Sequence, residues 1–169
     1  MLGKLALGHG LRQIQPGFQA NIGRDGLVDQ LINRLNADSL KHRGHVAFVQ
    51  YRPKGAKWFD SAKALAQNVD VIISMVGYPQ DVAEIYLGEN GVIKNLKPQS
   101  IIIDMTTSSP KLAQEIYQEA QKYEIKSLDA PVSGGDVGAK NGTLAIMVGG
   151  DKEVYEEVLP IFEAMGCPC

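Results

Sequence analysis

The stretch SIIIDMTTSSPKLAQEIYQEAQKYEIKSLDA, residues 100–130, decides the fold. Its apolar run at 100–105 is typical of a strand buried on both faces of a parallel sheet. Ser109 and Pro110 follow as the predicted N-cap and first residue of a helix, and 125–130 is a second predicted strand. Apolar residues at helical spacing form one helix face: Leu112, Ala113, Ile116, Tyr117 and Ala120. The order strand, helix, strand predicts a βαβ unit.

The same alternation extends to both sides of this stretch. A strand is predicted at 70–76 and a helix at 79–87, and a further strand at 143–148 precedes a last helix that begins near Asp151. A short helix, SAKALAQN, comes before them and is predicted to have Asp60 as its cap. The buried stripe of the last helix is predicted to be Val154, Val158, Ile161, Phe162 and Met165. The fold class is therefore α/β, a Rossmann-like doubly wound parallel sheet that is atypical or degenerate at its N-terminus.

Composition restricts the possible classes of protein. The chain has 169 residues, of which 44% are hydrophobic and 21% charged, as in a globular domain with its own core. A net charge of −2 gives no basic footprint for nucleic acid, and no apolar run approaches the roughly 20 residues that span a bilayer. Cys167 and Cys169 are too few for a disulfide framework or a zinc site. We therefore expect no metal site and a cytoplasmic location.

The N-terminal part, residues 1–54, offers two incomplete versions of a phosphate-binding glycine loop. LGHGLRQ has glutamine in the third glycine position, whereas NIGRDG (21–26) retains Gly23 and Gly26 and opens a candidate helix. The second is preferred, with a surface turn as the alternative. Arg52 follows a candidate strand at 45–51, where an arginine favours the 2′-phosphate of NADP. A solvated surface arginine is the alternative interpretation.

Three loops follow predicted strands, and their residues are mostly small or hydroxylated: VGYP, TTSS and PVSGG. In open α/β sheets, ligands bind beyond the carboxyl ends of the strands. On local grounds TTSS also suits helix capping, and PVSGG suits an ordinary tight turn. PVSGG is not a nucleophile elbow, because Pro131 takes the place of the first glycine.

Taken together, VDVIISMVGYPQDV, IIIDMTTSSP and LDAPVSGGDVGAKNGTLAIMVGGD resemble the 3-hydroxyisobutyrate dehydrogenase family over roughly residues 55–166. This β-hydroxyacid dehydrogenase family is related to 6-phosphogluconate dehydrogenase. The resemblance implies that Met75, Val76 and Gly77 form a cofactor loop, with valine and glycine in place of the family's leucine and proline. It also implies a cofactor contact by Thr107. The substrate carboxylate is implied to be held by Ser133, Gly134 and Gly135.

The resemblance implies hydride transfer between NAD(P) and a small hydroxy acid of the 3-hydroxyisobutyrate or tartronate semialdehyde class, with NADP favoured over NAD. The family's catalytic lysine, a general acid/base, belongs to a helical domain that follows the nucleotide-binding domain and through which family members mainly oligomerise. No lysine of this chain matches it, so no catalytic residue is assigned. We expect residues 1–54 to be a divergent part of the domain, residues 55–169 to be its remainder, and the isolated chain to be inactive. A non-catalytic NADP-binding module and an inactive truncated product are the alternatives.

Overall fold

The computed structural model describes residues 5–7, 12–14, 57–59 and 61–169. Its strands are β1 (Leu5–Leu7), β2 (Arg12–Ile14), β3 (Lys57–Trp58), β4 (Val71–Ser74), β5 (Ile101–Asp104), β6 (Lys126–Asp129), β7 (Val132–Ser133), β8 (Leu144–Ile146), β9 (Gly149–Gly150) and β10 (Gly166–Pro168). Its helices are α1 (Ala62–Ala66), α2 (Pro79–Leu87), α3 (Pro110–Gln121), α4 (Gly135–Asn141) and α5 (Lys152–Glu163), with a 3-10 turn at Ile93–Asn95.

Within the described residues the main sheet has the strand order β3-β2-β1-β4-β5-β6-β9. Strands β1, β4, β5 and β6 run parallel to one another. β2 and β3 continue one edge in antiparallel pairings, and β9 pairs antiparallel with β6 at the other edge. The predicted parallel α/β sheet is confirmed.

Helices cover the parallel strands on both sides. Along β4, Ile72 packs with α1, α2 and α3 on one face, whereas Ile73 packs with α5 on the other. Both isoleucines are almost completely buried, and each contributes about 2 kcal/mol by leaving water. Burial on both faces is the reason for the continuous apolar runs. All five residues predicted for the stripe at the last helix are buried: Val154, Val158, Ile161, Phe162 and Met165.

Two local predictions were wrong or incomplete, and one helix was not predicted. The strand predicted at 143–148 forms as β8, but it belongs to a separate sheet with the order β10-β8-β7. Ser61 is the N-cap of α1, since its side chain accepts a hydrogen bond from the Ala64 N–H at 3.1 Å; the predicted cap Asp60 lies outside the described residues. Helix α4 was not predicted. None of the helices in the described ranges is long and apolar enough to cross a membrane.

Candidate cofactor and substrate site

The carboxyl ends of the three central strands lie level with one another. Ser74 of β4 is paired with Asp104 of β5, and Asp104 is paired in turn with Asp129 of β6. The loops that follow these strands therefore leave the same edge of the sheet. This edge is where open α/β folds bind their ligands. The structure thus brings the predicted cofactor loop, the threonine loop and the predicted substrate loop to one side of the molecule.

The first two loops are tied together by hydrogen bonds. The Val76 N–H donates to Thr106 Oγ1 at 3.0 Å, and the Met105 N–H donates to the Ser74 carbonyl at 2.8 Å. Val76 is buried by this arrangement, while Gly77 is exposed. A Cβ at Gly77 would meet only the Asp81 carboxylate, at 3.7 Å. The backbone at residue 77 is therefore accessible to a ligand that approaches the sheet edge.

Beneath these loops lies a hydrogen-bonded set that we call the closed group: Ser74, Tyr86, Asp104 and Thr106. The Ser74 hydroxyl donates to Asp104 Oδ1 at 2.9 Å and lies 2.5 Å from the Tyr86 hydroxyl. The Thr106 N–H donates to the same carboxylate oxygen at 3.1 Å. All four side chains are buried, and each has a partner within the group. The closed group holds the start of the 105–109 loop against β4.

Burial raises the pKa of Asp104 above its ordinary value, and hydrogen bonds from Thr106 and Ser74 offset part of this effect. Burial, followed by the charge of Asp104, raises the pKa of Tyr86 well above its ordinary range. Asp129 is about half-buried, and its pKa is raised first by burial and then by the nearby charge of Asp104. The charge of Asp104 therefore disfavours ionisation of the neighbouring Asp129.

The threonine loop presents hydroxyl groups next to this support. Thr107 is exposed at the sheet edge. The Ser108 hydroxyl oxygen is buried and has no hydrogen-bond partner in the described part of the chain. Ser109 takes the predicted N-cap position of α3, but its side chain makes no capping bond. A buried orphan hydroxyl beside an exposed one fits a ligand with polar groups, such as the amide or ribose of a dinucleotide.

The predicted substrate loop runs from β6 through β7 into α4. Ser133 pairs with Ala145 of β8 and is exposed. Gly134 and Gly135 have positive φ values of 128° and 59°, a conformation that L side chains rarely adopt. A Cβ at Gly134 would also come within 3.3 Å of the Leu144 side chain. The glycine pair therefore permits the turn into α4 and leaves exposed backbone beside the Ser133 hydroxyl.

Three of the predicted site residues lie outside the described residues: Gly23, Gly26 and Arg52. Sequence reasoning did not single out the closed group, although Asp104 and Thr106 stand directly beside the predicted Thr107. The only signal in the sequence was polar residues at the ends of two buried strands. The partners of Ser74 are 12 and 30 residues away, so spacing could not reveal them.

The family described as the NAD binding domain of 6-phosphogluconate dehydrogenase matches residues 30–169. The chain belongs to this family. An uncharacterised oxidoreductase of Bacillus subtilis is 58% identical over 145 residues, 80% of this chain and 50% of that protein. A 3-hydroxyisobutyrate dehydrogenase-like mitochondrial protein of Arabidopsis thaliana is 45% identical over 113 residues, 67% of this chain and 38% of that protein.

A solved structure gives the same assignment. Mycobacterium tuberculosis 3-hydroxyisobutyrate dehydrogenase with L-serine superimposes with a TM-score of 0.70 and 25% identity, over all of this chain and 55% of that one. The chain therefore has the fold of the NAD-binding domain of a hydroxyacid dehydrogenase family. The predicted resemblance to this family is confirmed. The chain spans about half the length of the Bacillus relative and less of the Arabidopsis one. Since the relatives include bacterial and mitochondrial proteins, the cytoplasmic location stays a prediction.

Proposed function

We propose that this chain binds NAD(P) at the carboxyl edge of its sheet and takes part in hydride transfer between the cofactor and a small hydroxy acid. The observation that supports this proposal best is the pairing of Ser74, Asp104 and Asp129 at the ends of β4, β5 and β6. Because of this pairing, the three loops that follow these strands leave the sheet at the same edge. Membership of an NAD-binding family agrees with it. Bound NAD(P) supplies the hydride acceptor or donor.

Each loop has a distinct role in this proposal. Met75, Val76 and Gly77 pack against the cofactor, and the Thr107 hydroxyl forms a hydrogen bond with it. Ser108, whose buried hydroxyl lacks a partner within the described ranges, adds a second polar contact. The Ser133 hydroxyl and the exposed backbone of Gly134–Gly135 bind the substrate carboxylate.

The substrate is a short hydroxy acid of the 3-hydroxyisobutyrate or tartronate semialdehyde class. One related structure contains L-serine, which is also a small 3-hydroxy acid. In all three compounds a carboxylate lies close to the carbon that exchanges hydride. A carboxylate contact near the cofactor therefore places that carbon for transfer, because orientation is what the protein contributes when the cofactor carries the chemistry.

The cofactor half of the proposal is tested by calorimetric titration of the full chain with NADH and NADPH. Thr107→Ala is expected to raise the Kd by about tenfold, because it removes one hydrogen bond to a polar ligand. Thr143→Ala is the matched control, since Thr143 is an exposed threonine before β8. Absence of binding of both cofactors to the unmodified chain would reject the proposal. A preference for NADPH that Arg52→Ala abolishes would support the contact with the NADP 2′-phosphate that the sequence predicts for Arg52.

The substrate half is tested on the chain saturated with cofactor. Ser133→Ala is expected to weaken binding of 3-hydroxyisobutyrate about tenfold and to leave the cofactor Kd unchanged. Thr107→Ala is expected to show the opposite pattern. If Ser133→Ala weakens cofactor binding as strongly as acid binding, the assigned division of roles is wrong.

A further inference from the structure

A second concave site lies on the side of the sheet, between helix α3 and the edge formed by β6 and β9. It is a cleft of about 280 Å³. Helix α3 contributes Tyr117 and Gln118 to its lining, and strand β6 contributes Ser127 and Asp129. Asp151, which directly precedes α5, also lines the cleft. We call the four hydroxyl and carboxylate residues Tyr117, Ser127, Asp129 and Asp151 the cleft group. None of these residues belongs to the cofactor and substrate contacts proposed above.

Two members of the cleft group lack partners within the described residues. Ser127 has a relative exposure of 6% and lines the cleft, and its hydroxyl has no hydrogen-bond partner among the described residues. The half-buried Asp129 carboxylate has none there either, and burial raises its pKa. Because Ser127 lines the cleft, its hydroxyl is available to a ligand or to ordered water.

The remaining polar groups of the cleft also present oxygen. The Tyr117 hydroxyl donates to the Asp151 carboxylate, with both oxygens at 3.0 Å. The hydrogen of the Tyr117 hydroxyl is therefore used in its contact with Asp151. No lysine, arginine or histidine is among the described residues that line the cleft. Within the described residues the lining therefore has two carboxylates and no cationic side chain.

The glycines of β9 line the cleft and let this strand pair with β6. Gly150 has a φ of 141°, and a Cβ there would come within 2.6 Å of the Leu128 side chain and 3.0 Å of the Ser127 carbonyl. Glycine at this position thus lets β9 lie close against β6.

We infer that this cleft binds a small organic cation, a primary ammonium compound with a short aliphatic chain. An ammonium group has three donors and no acceptor, which complements Asp129, Asp151 and the Ser127 oxygen. A metal ion fits less well, because the described residues contain no group of three or more side chains suited to hold one.

This ligand also explains why a carboxylate is retained in the cleft. Taking an ionised carboxylate partly out of water is costly unless a positive partner compensates for the loss. Asp129 has the added repulsion of Asp104. A bound ammonium group offsets both effects at once. An anionic ligand such as a cofactor phosphate would increase them, so the cleft does not serve as part of the dinucleotide site.

The experiment is a titration of the full chain with 1,4-diaminobutane, followed by two-dimensional NMR of labelled protein. Saturable shifts are expected at Ser127, Asp129 and Gly150. The neutral isostere 1,4-butanediol is expected to bind at least about tenfold more weakly, since hydrogen bonds to charged groups are the stronger ones. Equal binding of the diol, or no saturable shifts with the diamine, would overturn the inference.

Three variants locate the effect in the cleft. Asp129→Asn is expected to weaken diamine binding by about tenfold or more, and Ser127→Ala by about threefold. Asp70→Asn removes an exposed carboxylate directly before the first residue of β4. This control variant is expected to change the Kd for the diamine less than twofold. If Asp70→Asn weakens binding as much as Asp129→Asn, the diamine binds by nonspecific electrostatic attraction, and the proposed site in the cleft is wrong. Unchanged NADH binding in Asp129→Asn separates this inference from the proposed function.

Discussion

Two groups of similar composition lie on the same face of the sheet, one strand apart. The closed group combines Tyr86 of α2 with Ser74 and Asp104, while the cleft group combines Tyr117 of α3 with Ser127 and Asp129. Asp104 and Asp129 are paired across β5 and β6, so both side chains point to one face. Each group therefore contains a helix tyrosine, a strand serine and a strand-end aspartate.

The two groups differ in how their hydrogen bonds are satisfied. In the closed group the hydroxyls of Ser74 and Tyr86 and the carboxylate of Asp104 all have partners at 2.5–3.1 Å. In the cleft group the Tyr117 hydroxyl donates to Asp151. Within the described residues the side chains of Ser127 and Asp129 have no hydrogen-bond partner. The same residue types thus build an internal support in one place and a ligand-accepting surface in the other.

The largest expected effect comes from adding a single methyl group to β9, the strand that borders the cleft. Gly150→Ala is expected to lower the free energy of unfolding by about 3 kcal/mol, because its φ of 141° and its contact with Leu128 would both become strained. Urea denaturation followed by circular dichroism measures this change. Gly135→Ala is the control: its φ is 59°, but no atom lies within 4 Å of the added Cβ, so we expect a loss of about 1 kcal/mol. Equal losses would mean that the contact with β6 is unimportant.

The second effect separates the two tyrosines. Tyr86→Phe is expected to cost about 2 kcal/mol of unfolding free energy, because it removes the buried hydroxyl that shares a hydrogen bond with Ser74 and lies 3.4 Å from the Ile103 carbonyl oxygen. Tyr117→Phe removes a hydrogen bond to the exposed Asp151 and is expected to have a much smaller effect on stability. Chemical denaturation of both variants tests the comparison. If Tyr117→Phe is the more destabilising, the cleft group is a structural support and not an open site.

The central strands and the helices α2, α3 and α5 could be predicted from the sequence, because their apolar patterns arise directly from burial on one face or two. Isoleucines at 101–103, for example, pack alternately on opposite sides of β5. The position of the three loops at one edge of the sheet could be predicted for a related reason. Their position at strand ends is a property of the βαβ order, which the pattern itself displays.

The rest depended on contacts that the local sequence does not show. Helix α4 contains glycine and asparagine, which are poor helix formers, so the local sequence predicts no helix there. Gly142, which follows Asn141 with a left-handed φ of 62°, was the available signal of a helix end. Strand β8 was predicted, but its placement in a second sheet is set by pairing with β7 and β10. No spacing distinguishes the partnered Ser74 from the unpartnered Ser127.

The smallest expected effect tests the electrostatic link between the two groups. Both aspartates have pKa values raised by burial, and the charge of Asp104 further raises the pKa of Asp129. A raised carboxyl pKa means that the folded state binds the proton more tightly than the unfolded state does. This contribution to stability is therefore present below the ordinary aspartate pKa, and it is lost as pH rises towards the raised value.

Asp104→Asn removes one titrating group and leaves an oxygen to accept from Ser74 and Thr106. We expect the variant to lose less stability than the unmodified chain as pH rises from the acid range to neutrality, by an amount smaller than the effect of Tyr86→Phe. The pKa of Asp129, followed by carbon NMR of its carboxyl group, is expected to fall but to stay above its ordinary value, since burial persists. Asp70→Asn, at the opposite end of β4, is expected to leave that pKa unchanged. An Asp129 pKa that does not fall in Asp104→Asn would show that the closed group and the cleft group are electrostatically independent, although their strands are paired.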